Sequence, residues 1–352
     1  MHIFMPVVGQ LTNVGDTLHR SVLIEWLSSD NKLHLYVGAA DSSFLSGLYV
    51  NNKCVFYKNF LVWYFCAIFR AKKSAFFYNP GEITGSVSRF LKETTLWPLF
   101  IVYKIFGSAI LKVGIDVRGS GKISSMLYKL SNLFTNISFY RTLDSYDRFG
   151  RGEVIPDLGF YRLSAFNDEN SCERKYICIS MRADKPLWSK DVFSKIVEFS
   201  HLEKLDIYVV VQVKSDNVSA RQIASQFSKL GWDINICFWN DDASHAEQEK
   251  MVNEIYKKSV LVISDRLHVL IASANNGAVP LCLAPYFSHK IRNHFEVIGY
   301  GDNVFDINDS CGDVKKILTK QLNRTEKLAS CLNVAKLELE GVKERIRALI
   351  WK

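Results

Sequence analysis

An arginine and a histidine come shortly after the apolar run VLVIS, in the segment VLVISDRLHVLIASANNGAVPLCLA. The run has the composition of a buried strand, and the apolar residues that follow it are spaced as on one side of a helix. Arg266 and His268 are therefore predicted on the first turn of a helix, at the carboxyl end of the strand. An anion would be held at such a place, because the helix N-terminus and the cation both attract negative charge. The alternative is that Arg266 pairs with Asp265 and that His268 caps the turn.

A second arginine, Arg182, comes directly after the apolar strand in ICISMRAD. A single arginine after a strand has a structural role more often than a functional one. Arg182 and Arg266 occupy matching positions at the ends of two strands, which would bring both to one edge of a parallel sheet. The pair therefore favours an anion-binding site.

A carboxylate at the other end of the chain is the third candidate. Asp16 lies in NVGDT, where Gly15 permits a tight loop and a helix follows. The aspartate would face the second half of the chain if the two halves stack, which makes it a candidate catalytic residue. A helix cap is the common alternative for an aspartate at this position.

Two successive α/β patterns must position these side chains. The first begins with the strand HIFMPVV, a turn and a helix, and the second begins at YICISMR. Their strands are apolar throughout rather than alternating, as in parallel sheets that are covered on both faces. We therefore predict an α/β protein with two Rossmann-like domains, residues 1–165 and 166–325, facing across a cleft, and a C-terminal helix at 326–352.

Composition excludes several classes of protein. The 352 residues are 48% hydrophobic and 23% charged, so the chain can bury enough apolar surface to fold. The eight cysteines form no CxxC pair, which disfavours a zinc site or a disulfide framework, and we expect no metal and a reducing compartment. The start has no basic segment typical of a signal peptide, and VRGSGK lacks the P-loop spacing. We expect a cytoplasmic protein.

The net charge of +8 is concentrated in one aromatic-rich stretch. Residues 51–130 contain twelve Lys and Arg against three Asp and Glu, so the rest of the chain is close to neutral. Such a stretch suits an anionic membrane surface or a nucleic acid, although solvated lysines around an ordinary core would look the same. No nucleic-acid motif accompanies it. We expect no nucleic-acid partner. Residues 56–129 could dock the protein on the inner face of the membrane, and the alternative of an ordinary core with solvated lysines stays open.

Five motifs, in this order along the chain, resemble the polysaccharide pyruvyl transferase family. They are GQLTNVGDT, FYRTLDS, VIPDLGF, ISMR and SDRLHVLIASANNGAVPLCL. The last motif is the most specific, since Ser264, Arg266, His268, Gly277 and Pro280 all stand in the family's places. The sequence departs from the family pattern at Thr17, at Thr142 and in GIDVRGSG.

The resemblance implies a GT-B-like fold and a reaction with phosphoenolpyruvate as donor substrate and no further cofactor. A pyruvyl group would pass to two hydroxyls of a sugar, in a cell-surface polysaccharide or its lipid-linked precursor, as a cyclic ketal with release of phosphate. Arg182, Arg266, Leu267 and His268 would bind the donor, and two arginines suit its phosphate and carboxylate. His268 would neutralise the departing phosphate.

The remaining roles concern proton transfer and the sugar acceptor. Asp16 is the candidate for the acid that protonates the enol methylene or for the base on the sugar hydroxyl. Asn13, Arg118 and His289 are the candidates for acceptor binding. Two alternatives stay open, namely a GT-B-type glycosyltransferase that uses a sugar nucleotide and a non-catalytic binding module that relies on the basic aromatic stretch.

Overall fold

The computed structural model describes residues 1–84, 86–118, 122–162, 173–308 and 314–351. The chain forms two compact units. Residues 1–11, 16–158 and 337–352 belong to the first unit, and residues 12–15 and 159–336 to the second. The sequence-based boundary at residues 165 and 166 falls outside the described residues. The C-terminal helix is divided between the two units instead of forming a separate piece.

The first unit is built on a parallel sheet of eight strands. Its order is β3-β2-β1-β4-β6-β7-β8, with β5 also paired to β6. The strands are β1 (His2–Pro6), β2 (Lys32–Tyr36), β3 (Cys54–Tyr57), β4 (Ser74–Phe77), β5 (Gly81–Thr84), β6 (Ala109–Arg118), β7 (Ile137–Tyr140) and β8 (Glu153–Val154).

In the described ranges of the first unit, seven α-helices that begin before residue 159 accompany this sheet. They are α1 (Val14–Ser28), α2 (Ser42–Ser46), α3 (Phe60–Phe69), α4 (Val87–Thr94), α5 (Trp97–Ile105), α6 (Lys122–Ser131) and α7 (Leu143–Phe149). Helix α3 begins after Asn59, whose side chain accepts hydrogen bonds from the backbone N–H groups of Leu61 and Val62. Trp63 on α3 and Phe100 on α5 are fully buried against Phe4 and Phe76 of the sheet. These aromatic side chains form the centre of the first core.

The second unit contains a parallel sheet of six strands in the order β11-β10-β9-β12-β13-β14. The strands are β9 (Tyr176–Ser180), β10 (Asp206–Val210), β11 (Asn235–Cys237), β12 (Ser259–Ser264), β13 (Val279–Ala284) and β14 (Val304–Asp306). This is the 3-2-1-4-5-6 order of a dinucleotide-binding fold. The order reverses between β9 and β12, so the crevice at their carboxyl ends is the expected ligand site of the sheet.

The helices of the second unit complete the α/β pattern. They are α8 (Lys190–Glu203), α9 (Asn217–Ser228), α10 (His245–Lys257), α11 (Leu267–Asn275), α12 (His289–Val297), α13 (Val314–Leu322) and α14 (Thr325–Ile350). Helix α10 starts with a capping box, in which Ser244 and Glu247 bond each other's backbone N–H. Helix α11 is buried along nearly its whole length, which explains the apolar sequence LHVLIASAN. The prediction of two parallel α/β sheets and a C-terminal helix is confirmed.

The basic stretch does not form one uniform surface. Lys112 is buried on β6, where its Nζ donates to Ser131 Oγ and Asn132 Oδ1, both at 2.6 Å. Arg118 forms an ion pair with Glu82 at 3.4 Å. The side chains of Arg89 and Lys122 lie outside the described part of the structure. Lys58, Arg70, Lys72, Lys73 and Lys104 are exposed.

None of the helices in the described ranges is long and apolar enough to cross a membrane.

Candidate functional site

The ends of four neighbouring strands bring polar side chains to one edge of the second sheet. Arg182 follows β9 and Arg266 follows β12, at the reversal of strand order. Asp216 follows β10, and Tyr286 follows β13. Because the strands are parallel, all four residues leave the sheet at its carboxyl edge. The two arginines predicted from the sequence are therefore gathered at the same place.

Arg266 is paired with Asp216, which lies fifty residues earlier in the chain. The Nη2 atom donates to Asp216 Oδ1 at 2.6 Å, and Nε donates to Oδ2 of the same carboxylate. The Asp216 side chain is 2% exposed and that of Arg266 is 15% exposed. A buried bidentate pair of this kind holds the guanidinium plane in one orientation. The alternative expected from the sequence, a pair between Arg266 and Asp265, does not form.

Arg182 has a more accessible partner. Its Nε and Nη2 atoms donate to the two carboxylate oxygens of Asp184, at 2.8 and 2.7 Å. The hydrogen bonds from Arg182 lower the pKa of Asp184 to about 2. The Asp184 side chain is 62% exposed, so water competes for this pair, and such pairs contribute little to stability. An anionic ligand could therefore displace the Asp184 carboxylate from Arg182 with little loss of free energy.

Asp265 connects the loops at this edge of the sheet through hydrogen bonds. Its Oδ1 accepts a hydrogen bond from the backbone N–H of Arg182 at 2.9 Å, and its Oδ2 accepts one from the Tyr286 hydroxyl at 2.7 Å. Burial raises the pKa of the Asp265 carboxyl, and the hydrogen bond from Tyr286 acts in the opposite direction. Burial and the neighbouring carboxylate also raise the pKa of Tyr286. Asp265 thus joins the loops after β9, β12 and β13.

His268 lies in the first turn of α11, where the sequence places it. Arg266 occupies the N-cap position and its side chain makes no cap hydrogen bond, since Asp216 engages it. Leu267, the first helical residue, turns its side chain into the protein and is 6% exposed. The helix therefore begins without a side-chain cap, and its backbone N–H dipoles are directed at the same edge as the arginines.

Gly15 lies directly against His268. A Cβ atom added to this glycine would be 2.6 Å from His268 Cβ and 2.7 Å from Nδ1, well inside ordinary contact. Gly15 belongs to residues 12–15, which pack with the second unit. The segment is held there by two backbone hydrogen bonds, Val14 N–H to Gln212 O and Lys214 N–H to Thr12 O, both at 3.0 Å. The NVGD loop therefore positions the histidine.

Asn13 shapes that loop. Its Oδ1 accepts the backbone N–H of Gly15 at 2.9 Å, which is the geometry of an Asx turn. The residue also pairs with Val213 in an isolated antiparallel bridge. These contacts give Asn13 a structural role in holding this segment. Its role in acceptor binding stays a prediction.

Asp16 belongs to the first unit, at the point where the order of its sheet reverses between β1 and β4. Its Oδ2 accepts the backbone N–H of Gln10 at 2.6 Å and lies 3.7 Å from Nη1 of the buried Arg20. Arg20 in turn donates to Val8 O at 2.7 Å, after β1, and to Asn79 Oδ1 at 3.0 Å, after β4. The carboxylate is thus fixed at the carboxyl edge of the first sheet rather than serving only as a cap.

Two of the motifs in the first unit meet through a buried ion pair. Arg141 of FYRTLDS donates to Asp157 of VIPDLGF at 2.7 Å, and both side chains are at most 2% exposed. Thr142 stands where the family pattern has an aspartate. Its Oγ1 donates to Asp116 Oδ1 at 2.9 Å, and Ser145 Oγ donates to the same oxygen at 2.6 Å. Asp116, one of the departures in GIDVRGSG, thereby supplies a carboxylate beside Thr142.

The other acceptor candidates lie in different units. Arg118 is in the first unit, with a side chain that is 56% exposed and paired to Glu82. His289 is in the second unit at the start of α12, where its ring packs edge-on against Phe287 at 4.9 Å. Within the described ranges, no group of three or more His, Cys, Asp and Glu side chains could hold a metal ion.

Asp216 and Tyr286 lie at this edge of the sheet and were not predicted from the sequence. Asp216 stands in VKSDNV, a polar turn that shows no distinctive pattern, and its contact with Arg266 spans fifty residues. One signal was available, because Asp216 follows a predicted strand in the same sheet. Listing every polar residue after each strand of that sheet would have included it.

Comparison with known proteins shows the fold. No protein-family model and no curated protein matches this chain. A solved structure of Anabaena HepE in complex with UDP is similar over 99% of this chain and 98% of its own, with 10% identity and a TM-score of 0.56. The UDP-GlcNAc 2-epimerase of Methanocaldococcus jannaschii is similar over 92% and 93% of the two chains, with 11% identity and a TM-score of 0.53. At these identities the likeness concerns the fold alone, and the chain has a GT-B-like fold.

Proposed function

We propose that this protein is a transferase that moves a pyruvyl group from phosphoenolpyruvate to two hydroxyls of a sugar. One observation carries the proposal. Arg182 and Arg266 follow adjacent parallel strands, and Arg266 is the N-cap of α11, whose first turn carries His268. Two guanidinium groups and a helix N-terminus match a small donor that carries both a phosphate and a carboxylate.

The two arginines would have different tasks. Asp216 engages the Nε and Nη2 atoms of Arg266 and fixes the guanidinium plane, so that Nη1 would be the atom available to a ligand. Arg182 would exchange its exposed partner Asp184 for the donor. Arg266 would thus be a preorganised anchor, and Arg182 would close onto the second anionic group. Preorganisation of this kind lowers the entropic cost of binding.

The chemistry needs three proton movements. One sugar hydroxyl adds to the enol carbon C2 and loses its proton to a base, while the methylene carbon gains a proton from an acid. A second hydroxyl then attacks the same carbon, the C–O bond to phosphate breaks, and the proton of that hydroxyl leaves with the phosphate. His268, held against Gly15, is our candidate for the group that neutralises the departing phosphate. Asp16 remains the candidate for the acid or the base.

The acceptor is expected to be a sugar of a cell-surface polysaccharide or of its lipid-linked precursor. At the carboxyl edge of the first sheet, the Asp16 side chain is 21% exposed and could accept a hydrogen bond from a sugar hydroxyl, whereas Asp116 and Arg141 are buried and stabilise the edge from within. Neutral sugars are bound through such side-chain hydrogen bonds, and no further cofactor is needed in this scheme.

A sugar-nucleotide glycosyltransferase is the second candidate, and the fold supports it. HepE was solved with UDP and also with UDP and glucose, the latter structure having a TM-score of 0.54 to this chain at 10% identity. A nucleotide site usually offers a carboxylate to the ribose hydroxyls. Of the three carboxylates beside the arginines, Asp216 and Asp265 are buried, and the exposed Asp184 could reach a ribose at the expense of its pair with Arg182. We therefore prefer the smaller donor.

One experiment separates the two candidates. The protein is incubated with phosphoenolpyruvate or with UDP-sugars, together with a panel of oligosaccharides, and released phosphate and UDP are both measured. We expect phosphate release that depends on an acceptor, and no release of UDP. Turnover of a UDP-sugar without any phosphate release from phosphoenolpyruvate would overturn the proposal.

Donor binding can be tested without an acceptor. Phosphoenolpyruvate should raise the thermal unfolding midpoint of the wild type, because a ligand that binds only the folded state stabilises it. Arg182→Ala and Arg266→Ala should each lose this shift. Arg221→Ala is the matched control, since Arg221 is exposed and lies over the Phe238 ring at 5.1 Å. A shift that persists in both site variants would place the donor elsewhere.

A further inference from the structure

Helices α3 and α5 of the first unit turn apolar side chains to the outside. Leu61, Val62, Phe65 and Phe69 on α3 are 61%, 58%, 51% and 83% exposed, and Ile101 and Ile105 on α5 are 50% and 74% exposed. On each helix these positions lie opposite the side that is buried in the core. Both helices pack on the same core cluster and contact each other, so their exposed sides face outward together.

This concentration is unusual within the molecule. In the part of the second unit that the structure describes, the large exposed apolar side chains lie on four different helices. They are Leu202, Val218, Met251 and Val334, and Leu337 of the first unit lies one turn after Val334 on α14. Isolated residues of this type are normal on protein surfaces, whereas a cluster marks a site of interaction.

Charge surrounds the apolar face and has one sign. Lys58 precedes α3, Arg70 and Lys72 follow it, and Lys104 lies on α5, all of them exposed. The sequence has no acidic residue between Asp41 and Glu82, and none between Glu93 and Asp116. Of the two intervening acids, Glu82 is paired with Arg118 and Glu93 is buried. The face is therefore apolar at its centre and cationic at its rim.

We infer that the α3–α5 face docks the protein on an anionic phospholipid surface. A helix of ten residues is about 15 Å long, half of the hydrocarbon thickness of a bilayer, so α3 would lie in the interface rather than span it. Phe65, Phe69 and Ile105 would enter the boundary of the acyl chains. The lysine and arginine side chains would extend to the lipid phosphates.

The charge of the rim argues against a second copy of this chain as the occupant. A second copy of this chain would bring a like-charged rim against Lys58, Lys72 and Lys104, which is unfavourable. An anionic lipid surface satisfies both the apolar centre and the cationic rim. Vesicle binding requires neither donor nor acceptor, so its outcome is independent of the pyruvyl-transfer proposal.

The test is co-sedimentation with vesicles of phosphatidylcholine, with or without one third of phosphatidylglycerol. The wild type should bind the anionic vesicles and not the neutral ones, and high salt should weaken binding. The Phe65→Ser/Phe69→Ser variant should lose about tenfold or more in affinity, because two aromatic side chains no longer enter the interface. The Lys58→Gln/Lys72→Gln/Lys104→Gln variant should lose about a hundredfold, at roughly fivefold for each charge.

Matched controls keep the result interpretable. Leu202→Ser and Lys229→Gln alter exposed residues of the same types in the second unit and should bind vesicles as the wild type does. All substituted residues are exposed, so thermal unfolding midpoints should stay close to the wild-type value. Equal binding to neutral and anionic vesicles, or full binding by the phenylalanine variant, would overturn the inference. A dimer in vesicle-free solution that Phe65→Ser/Phe69→Ser converts to monomer would assign the face to a second copy instead.

Discussion

Replacement of Gly15 by alanine tests whether the NVGD loop positions His268. The new Cβ atom would lie 2.6 Å from His268 Cβ, 2.7 Å from Nδ1 and 2.9 Å from Cγ. Carbon atoms in favourable contact are about 3.5–4.0 Å apart, so the histidine or the loop must move by about 1 Å. Residues 12–15 are held by backbone hydrogen bonds to residues 212 and 214, which favours movement of the His268 side chain.

The size of the effect follows from this overlap. Overpacking of a well-packed site costs about 1–3 kcal/mol, so we expect a loss of that order in the free energy of unfolding. A displacement of a catalytic group by about 1 Å can reduce the rate about a hundredfold, which corresponds to about 2.7 kcal/mol in the barrier. We expect the loss mainly in kcat, because His268 is proposed to act on the departing phosphate.

The assay is acceptor-dependent phosphate release, with the unfolding midpoint measured on the same preparation. Gly341→Ala is the matched control, because a Cβ at Gly341 on α14 meets no atom within 4 Å. That variant should keep full activity and gain up to about 1 kcal/mol of stability from helix propensity. If Gly15→Ala has wild-type kcat and stability, the loop does not position His268.

Three further predictions concern charged side chains. Asp216→Asn should lower the free energy of unfolding by about 3–5 kcal/mol, because Arg266 loses its buried counter-ion. Urea denaturation measures this loss, and a wild-type urea midpoint would contradict the prediction. Asp184→Ala should leave the unfolding midpoint unchanged and strengthen donor binding, because the exposed carboxylate of Asp184 competes with the donor for Arg182. Calorimetry measures the donor affinity, and weaker binding would count against that competition. Burial lowers the pKa of Lys112 to about 8, so between pH 8 and 10 the unfolded chain binds more protons than the folded one. Wild-type stability should therefore rise by about 2 kcal/mol over that range relative to Lys112→Met, and parallel pH profiles from urea titrations would refute this.

Four of the strands that the sequence predicted are apolar along almost their whole length, and the edge strand β11 within INICFW was predicted as well. YICIS, DIYVV, VLVIS and VPLCLA stand in the structure as β9, β10, β12 and β13, because a strand covered by helices must be apolar along its whole length. The short strands β3, β5 and β14 were not predicted. Each has three or four residues and is a strand because it pairs with β2, β6 or β13, and such pairing leaves no pattern in the local sequence.

The sequence also did not determine which side chains of helices α3 and α5 are exposed. The run FLVWYFCAIF is apolar at every position, but only Trp63 and Ala67 on α3 are fully buried. The helix packs with one side on Phe4 and Phe76 and leaves the opposite side outside. Apolar composition therefore located the region, and tertiary packing decided which side chains are exposed.

For the site, local sequence was sufficient to place Arg182, Arg266 and His268 at the carboxyl ends of buried strands. Strand, turn and helix start are local features, and their residues stand within a few positions of one another. The partners of these residues were decided only by the tertiary structure. Asp216 reaches Arg266 because β10, β9 and β12 lie side by side, and Gly15 reaches His268 because residues 12–15 pack with the second unit. Contacts between distant segments depend on the order of strands in a sheet, and that order is a property of the folded chain rather than of any short stretch of it.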